Sequence, residues 1–191
     1  MSSFPLFNGN PGGIHEYLRR QRGVQLSTRF DVTIQSRTSG TVNFMCDMAQ
    51  IPSKKVKIYQ DILSGTSSPI PIPFGLNYNT NLFQFITEES WISRKYFEDW
   101  QSSIFVDAYG NPSDIPIRVN LLEEVARNIQ IQALSTAGTG SARIPTAIIT
   151  LNECIPLEVV PAKFDAAAYN TPVRFSVNMF YRSYSLLRVN K

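Results

Sequence analysis

From Val173 to Arg182 the chain keeps a strict period of two: Val173, Phe175, Val177, Met179 and Tyr181 alternate with Arg174, Ser176, Asn178, Phe180 and Arg182. That period places one set of side chains on each face of a β-strand and does not suit a helix. The same pattern occurs near the start. Phe30, Val32 and Ile34 alternate with Asp31, Thr33 and Gln35, and beyond a turn at Ser39–Gly40 the residues Val42, Phe44, Cys46 and Met48 alternate again. Two such runs joined by Thr-Ser-Gly predict a β-hairpin with one buried face. Residues 81–87, 129–133 and 145–151 supply further strands, and 157–164 a weaker one interrupted by Pro161.

One segment has helical spacing. Ile92, Tyr96, Phe97, Trp100, Ile104 and Phe105 predict a helix over 90–106, with Thr87 as N-cap and Glu88 and Glu89 in the first turn, where the helix dipole favours negative charge. Its Tyr96/Phe97/Trp100/Ile104 side is expected to close over the sheet. The chain of 191 residues suits a single core. The expected fold is mainly β, an antiparallel β-sandwich or barrel with one flanking α-helix and a long protruding loop.

The boundaries follow from composition. Residues 1–27 read as an N-terminal arm, Pro/Gly-rich to Gly13 and then a short amphipathic helix over 14–22 that Gly23 stops. Residues 28–191 form the β domain. Inside it, 53–79 carries Lys54, Lys55 and Lys57, a Ser/Gly/Thr run, and Pro69, Pro71 and Pro73. Proline removes ladder donors, so this stretch is an extended loop or a protruding, partly paired hairpin, a form suited to binding or assembly. Residues 108–116 read as a loop, 135–143 as a flexible tip, and 117–134 as ambiguous before its final strand.

The chain is poor in catalytic chemistry. His15 is the only histidine, which removes Ser-His-Asp and Cys-His catalysis and any metal site of familiar spacing. Glu88/Glu89 and Glu123/Glu124 are adjacent pairs, better suited to capping or solvation than to paired acid–base work. Gly138–Ser141 lacks the lysine of a phosphate loop. Trp91 and Trp100 read as core or interface anchors. No catalytic, cofactor-binding or metal residue is expected, and no cofactor. The net charge of +3 is interspersed, and Arg19, Arg20 and Arg22 read as a solvated helix face, which argues against a dedicated nucleic-acid binder. No signal peptide and no membrane span are expected, so Cys46 and Cys154 read as reduced, buried thiols. What the pattern supplies instead is strand edges, which a protein must cap or use; a ring of copies uses them. A polar face opposite the apolar one also suits the aqueous lumen of a large barrel.

Several segments, in order, resemble the tail-tube proteins of contractile-tailed bacteriophages. Cys46-Asp-Met-Ala-Gln-Ile-Pro52 is similar to that family's strand ending in Cys, five residues and Pro. Phe97-Glu-Asp-Trp100-Gln-Ser102 resembles its Phe-x-Asp-Trp-Gln-Ser signature. Asn152-Glu-Cys-Ile-Pro156 is similar to its short turn before the last two strands, and Phe164-Asp165 with Phe175-x-Val177-x-Met179-x-Tyr181 to its closing strand pair. The resemblance spans about residues 28–185. It implies subunits that close into hexameric rings, rings that stack through the loop 53–79, and a non-enzymatic role. The implied partners are further copies of the chain, the tail sheath protein, the tape-measure protein, baseplate and tail-terminator proteins, and DNA passing transiently through the lumen. The implied location is the virion tail, assembled in the host cytoplasm. A baseplate tube initiator, a type VI secretion or bacteriocin-like tube, and a non-assembling β-sandwich binding module are the alternatives.

Overall fold

The computed structural model describes residues 29–36, 40–61, 70–106, 118–135, 144–162, 164 and 171–189. The expected arm over 1–27 with its short helix, the loop 108–116 and nearly all of the 135–143 tip lie outside these residues.

Alternation organises the fold. β1 (Phe30–Ser36) pairs antiparallel with β2 (Gly40–Asn43), as the hairpin reading expects. The apolar run does not continue as one strand, however. The chain breaks at Phe44–Met45, and β3 (Cys46–Ala49) leaves β1 to pair with β6 (Asn81–Ile86). A register shift between Cys46 and Met48 turns Met48 outward, so the alternation that links the two in sequence is lost in space.

Two strands carry most of the remaining architecture. β10 (Pro145–Val159) runs for 15 residues, and β11 (Arg174–Phe180) followed by β12 (Ser183–Arg188) runs antiparallel along it. The 152–156 segment is therefore not a turn, and 157–164 is not a separate strand; both expectations are corrected. At this place Glu153 adopts a left-handed conformation (φ 53°) and the pairing shifts register, bending the strand from one sheet into another. A front sheet has the order β2-β1-β9-β10-β12, where β9 is Arg127–Leu134; a back sheet has the order β10-β11-β6-β3. They share β10 on one side, and the short Phe44–Met45 crossing joins them on the other. β12 had no counterpart in the sequence reading.

Between the sheets lies one core. Val32, Ile34, Ile129, Ile131, Ile149 and Leu151 come from the front sheet, and Phe83, Phe85, Phe175, Val177 and Met179 from the back. The helix α1 (Ile92–Ser102) closes the open end with Phe97 and Trp100, both 1 % exposed, as a lid. Phe97 meets Phe85 at 4.9 Å and Phe175 at 6.0 Å between ring centroids. The helix is shorter than its apolar spacing predicts, because Phe105–Val106 leave it to form β7, paired with β8 (Arg118–Val119). A single-turn helix α2 (Leu122–Val125) follows.

Thr87 is not the cap. Its N–H donates to the Val173 carbonyl and prolongs sheet pairing. The cap position falls to Trp91 in a left-handed conformation (φ 55°), and negative charge reaches the helix start from outside the first turn. The Glu88 carboxylate accepts from the Ser93 N–H (3.3 Å) and hydroxyl (2.7 Å). Burial alone would raise the Glu88 carboxyl, but these hydrogen bonds outweigh it and hold it below its ordinary value.

Segment 53–79 is a hairpin rather than an open loop. β4 (Lys54–Asp61) and β5 (Ile70–Tyr78) pair only with each other. Pro71 and Pro73 stand two apart, so they strip donors from a single edge of β5, which a two-stranded ribbon can spare. Lys57 pairs with Gly75 and Ile58 with Pro73, which leaves Phe74 as an extra, bulged residue.

Candidate assembly surfaces

The front sheet has an outer face built by the same alternation that builds the core. Opposite Val32 and Ile34, β1 presents Asp31, Thr33 and Gln35; opposite Ile129 and Ile131, β9 presents Asn128, Gln130 and Gln132. Across the ladders these meet Thr41 and Asn43 of β2 and Ile148 and Thr150 of β10. Ser183, Ser185 and Leu187 of β12 extend the same face. Among the described residues of these ladders that share this face none is lysine or arginine, and Asp31 is the one charged position. The side chains bind one another where they can: the Asn152 amide donates to the Ser183 hydroxyl (3.2 Å), and the Asn128 side-chain oxygen accepts from the Glu153 N–H (3.2 Å). This is a hydrated wall with little electrostatic grip.

Two arginines off this face are held in ion pairs. Arg174 on the back sheet reaches Asp47 of β3 (2.7 Å), and Arg182 at the β10 corner reaches Glu153 (2.9 Å). The Glu153 hydrogen bond and charge raise the Arg182 guanidinium further above its ordinary value. Arg127 at the start of β9 points inward, its guanidinium carbon 4.5 Å from the Trp100 ring centroid and 4.9 Å from that of Tyr96.

The front sheet also ends in two open edges, β2 and β12. β12 is exposed on both faces, with Leu186 64 % and Leu187 62 % accessible. An edge with apolar residues and a row of unpaired backbone groups is a template for another strand.

The β4–β5 hairpin is the third surface. It exposes Val56, Ile58, Tyr59, Ile72, Phe74 and Leu76, far more apolar surface than an isolated ribbon can hold in water. Its root is fixed to the front sheet's end. Tyr78 packs edge-on against Tyr181 (5.8 Å) and Tyr184 (6.2 Å), the Tyr181 hydroxyl donates to the Ser53 carbonyl (2.9 Å), and Lys54 lies over the Tyr184 ring. Burial raises the Tyr181 phenol above its ordinary value.

The residues weighed for catalysis do not converge. Trp100 is core, while Trp91 is partly exposed beside Phe164, the two rings inclined at 46° and so forming no common platform. Glu123 and Glu124 are exposed on α2. His15, Arg19, Arg20, Arg22 and Gly138–Ser141 lie outside the described residues. Among the described residues no group of three or more His, Cys, Asp or Glu side chains is placed to hold a metal, and no helix is long and apolar enough to cross a membrane. Cys46 and Cys154 are unbonded, and burial pushes both thiols up to about 12. Sequence reasoning missed β12 and the tyrosine root; it expected Arg174 and Arg182 to pair with carboxylates, and Asp47 and Glu153 are those partners; the Asn128/Gln130/Gln132 spacing was the available sign of the polar wall.

Known proteins share this arrangement. The fold is similar to a chain of the anti-feeding prophage baseplate (TM-score 0.63, 14 % identity, covering 87 % of this chain and 97 % of that one). It is similar as well to a chain of the sheath–tube complex of an extracellular contractile injection system (TM-score 0.57, 12 % identity, 91 % and 97 %). A chain of the anti-feeding prophage tube-terminating cap gives TM-score 0.57 at 14 % identity, covering 87 % and 92 %. No curated protein matches the sequence. Residues 10–187 match the family described as phage tail tube protein, and the chain belongs to that family.

Proposed function

We propose that this chain is a structural, non-enzymatic subunit of a contractile-tail tube, closing into hexameric rings that stack into a conduit for the genome. The observation that carries this reading is the front sheet: a cation-free polar face bounded by two open edges. When β12 of one subunit lies beside β2 of the next, both edges of the front sheet are paired and the front sheets form one continuous barrel. The polar wall then lines the lumen. Because each Lys or Arg contact to a phosphate adds salt-dependent affinity, a wall without them lets DNA pass without holding it. The back sheet and α1 face outward toward the sheath. The β4–β5 hairpin reaches the adjoining ring; eight residues of strand extend about 27 Å. In this reading residues 1–27 are an arm and 28–191 the β domain. The tape-measure protein fills the lumen before DNA, and baseplate and terminator proteins close the two ends. The tube belongs to the virion tail and is assembled in the host cytoplasm.

A second reading, a tube-initiating ring at the baseplate, draws support from the baseplate chain having the higher TM-score of those compared. Negative-stain microscopy of the purified protein tests both. Main tube subunits give stacked rings of extended length, whereas an initiator gives single rings. Monomers at every concentration tried would remove both readings. Deletion of residues 62–69 with a short replacement turn should leave rings that no longer stack.

A further inference from the structure

We propose that Tyr181 is the positioning residue that sets the direction of the β4–β5 hairpin, locking a hinge at 51–53 and 79–80 through its hydrogen bond to the Ser53 carbonyl. What the direction serves rests on the stacking reading above; the lock itself rests on local geometry. β3 and β6 keep their ladder as far as Gln50 and Leu82, where the Gln50 N–H donates to the Leu82 carbonyl (3.0 Å). Pairing resumes in β4 and β5 with Lys54 opposite Tyr78. Between these rungs stands Pro52, which has no N–H to give a ladder, and the hairpin beyond it pairs with no strand of either sheet. A ribbon joined to a sandwich across a broken ladder has no direction imposed by pairing, and a few residues at such a break absorb a swing.

Two side-chain hydrogen bonds meet at the break, and both end on Ser53. The Tyr181 hydroxyl donates to its carbonyl (2.9 Å), and the Asn79 amide donates to its hydroxyl (3.3 Å). They differ in footing. Asn79 belongs to the hinge and moves with it. Tyr181 is 1 % exposed and continues the inward series Phe175, Val177 and Met179, so the core fixes its ring. Through its hydroxyl the sandwich therefore reaches the hinge. The same ring belongs to a cluster that grips the first rung of the hairpin. Tyr78 meets Tyr181 at 5.8 Å and Tyr184 at 6.2 Å, Tyr181 and Tyr184 lie 6.3 Å apart, and Lys54 Nζ stands 6.0 Å from the Tyr184 ring centroid. Contacts between rings accept a range of offsets and tilts, whereas a hydrogen bond to a carbonyl prescribes a distance and an angle. The hydroxyl thus selects one direction from those that the packed rings allow.

The test removes the hydroxyl and keeps the ring. Spin labels at Tyr59→Cys on the hairpin and Lys95→Cys on α1, in a Cys46→Ser background, report the hairpin's direction in dilute, unassembled subunits by pulsed dipolar spectroscopy. The parent should give one narrow distance distribution, and Tyr181→Phe one about twofold broader or more. Tyr96→Phe removes a buried hydroxyl without a hydrogen-bond partner on α1, so it should keep the parent's width. Replacing Tyr181 with 4-aminophenylalanine restores a donor and should restore the narrow distribution. Without labels, Tyr181→Phe should form rings and lose about tenfold of the sedimentable tube mass. A Tyr181→Phe distribution as narrow as the parent's overturns the proposal, as does a broad one that the amine leaves broad. A Tyr181→Phe subunit that fails to fold overturns it too, because the hydroxyl would then support the core and not the hinge. If Tyr181→Phe is broad yet stacks like the parent while the 62–69 deletion blocks stacking, a fixed direction is not needed and the proposal falls. If the deletion itself stacks normally, the stacking reading fails, and the width alone decides the lock.

Discussion

Trp100→Ala is the most demanding perturbation of the fold itself. Trp100 is 1 % exposed, and its indole N–H donates to the Val125 carbonyl at 2.8 Å. Its ring stacks on Phe97 (6.2 Å) and lies against the Arg127 guanidinium (4.5 Å). Truncating a buried Trp to Ala costs about 3–5 kcal/mol through lost transfer energy and the cavity left behind. The orphaned Val125 carbonyl adds about 1–3 kcal/mol where water cannot reach it. Arg127 loses one of its two aromatic faces, at about 0.5–2 kcal/mol. These terms overlap, so the defensible total is about 5 kcal/mol, against about 5–15 kcal/mol for a whole domain. The variant should be insoluble or unfold at low denaturant, measured by urea denaturation followed by circular dichroism. Trp100→Phe keeps an aromatic ring but loses the hydrogen bond and part of the buried volume, so it should fall between. Arg94→Ala, which removes a helix-surface pair with Glu98, should cost about 0.3–0.5 kcal/mol. A soluble Trp100→Ala protein with unchanged unfolding midpoint would refute the assignment of α1 as the lid on the core.

Buried Cys154 should resist iodoacetamide in native protein at pH 8 and half-buried Cys46 should react slowly, while denatured protein should yield two alkylated cysteines by mass spectrometry. Both folded thiols titrate near 12 against 9.0 when free, so their contribution to stability is intact below 9.0 and lost as pH rises from there toward 12; thermal melts across pH 8–11 read that sign. Glu153→Gly should relieve a left-handed non-glycine residue, worth about 1–2 kcal/mol, and loses only an exposed ion pair with Arg182, so its melting temperature should hold or rise, whereas Glu153→Val should lower it. Gln130→Lys adds a cation to the polar wall, and tubes built from it should retain oligonucleotide in a salt-dependent manner that parent tubes do not show.

Period-two alternation made most strands legible because each has one face in the core, as Val32/Ile34 and Phe175/Val177/Met179 do. Where the fold differs, a second influence overrides the local pattern. Val42 to Met48 alternates as one strand, yet β3 crosses to the back sheet, a choice made by its partner β6 and not by its own residues. Residues 152–156 contain Asn, Glu and Pro and read as a turn; pairing with β9, β11 and β12 holds them in a bent strand instead. β12 was invisible for the opposite reason. Ser-Tyr-Ser-Leu-Leu-Arg does not alternate, because in a single subunit neither of its faces is fully buried. Thr87 satisfies every local criterion for a cap, but its N–H is already committed to Val173. The polar wall was expected in composition, and its position became clear only once the registers placed Gln130 between Thr33 and Thr150.

In the proposed ring, the division of charge between the two sheets would follow from where each face points. A cation on the front face would stand at one height around a closed circumference, where low-dielectric walls focus the potential onto the axis. The same cation on the back sheet or at the β10 corner faces a far larger perimeter and finds a carboxylate across the strands, as Arg174 finds Asp47 and Arg182 finds Glu153. Amides and hydroxyls can line the narrow side because they hydrogen-bond water and each other without adding net charge. Ile148 and Leu187 are tolerated there because water passing an apolar side chain forfeits no bound ion. The chain can thus carry a net charge of +3 and still present, among the described strand residues, a wall with no positive group, provided the alternation of β1, β9, β10 and β12 keeps its register. A one-residue slip in any of these strands would turn isoleucine and valine into the lumen and bury glutamine, so the pattern that folds the subunit and the pattern that makes the conduit passive are one constraint.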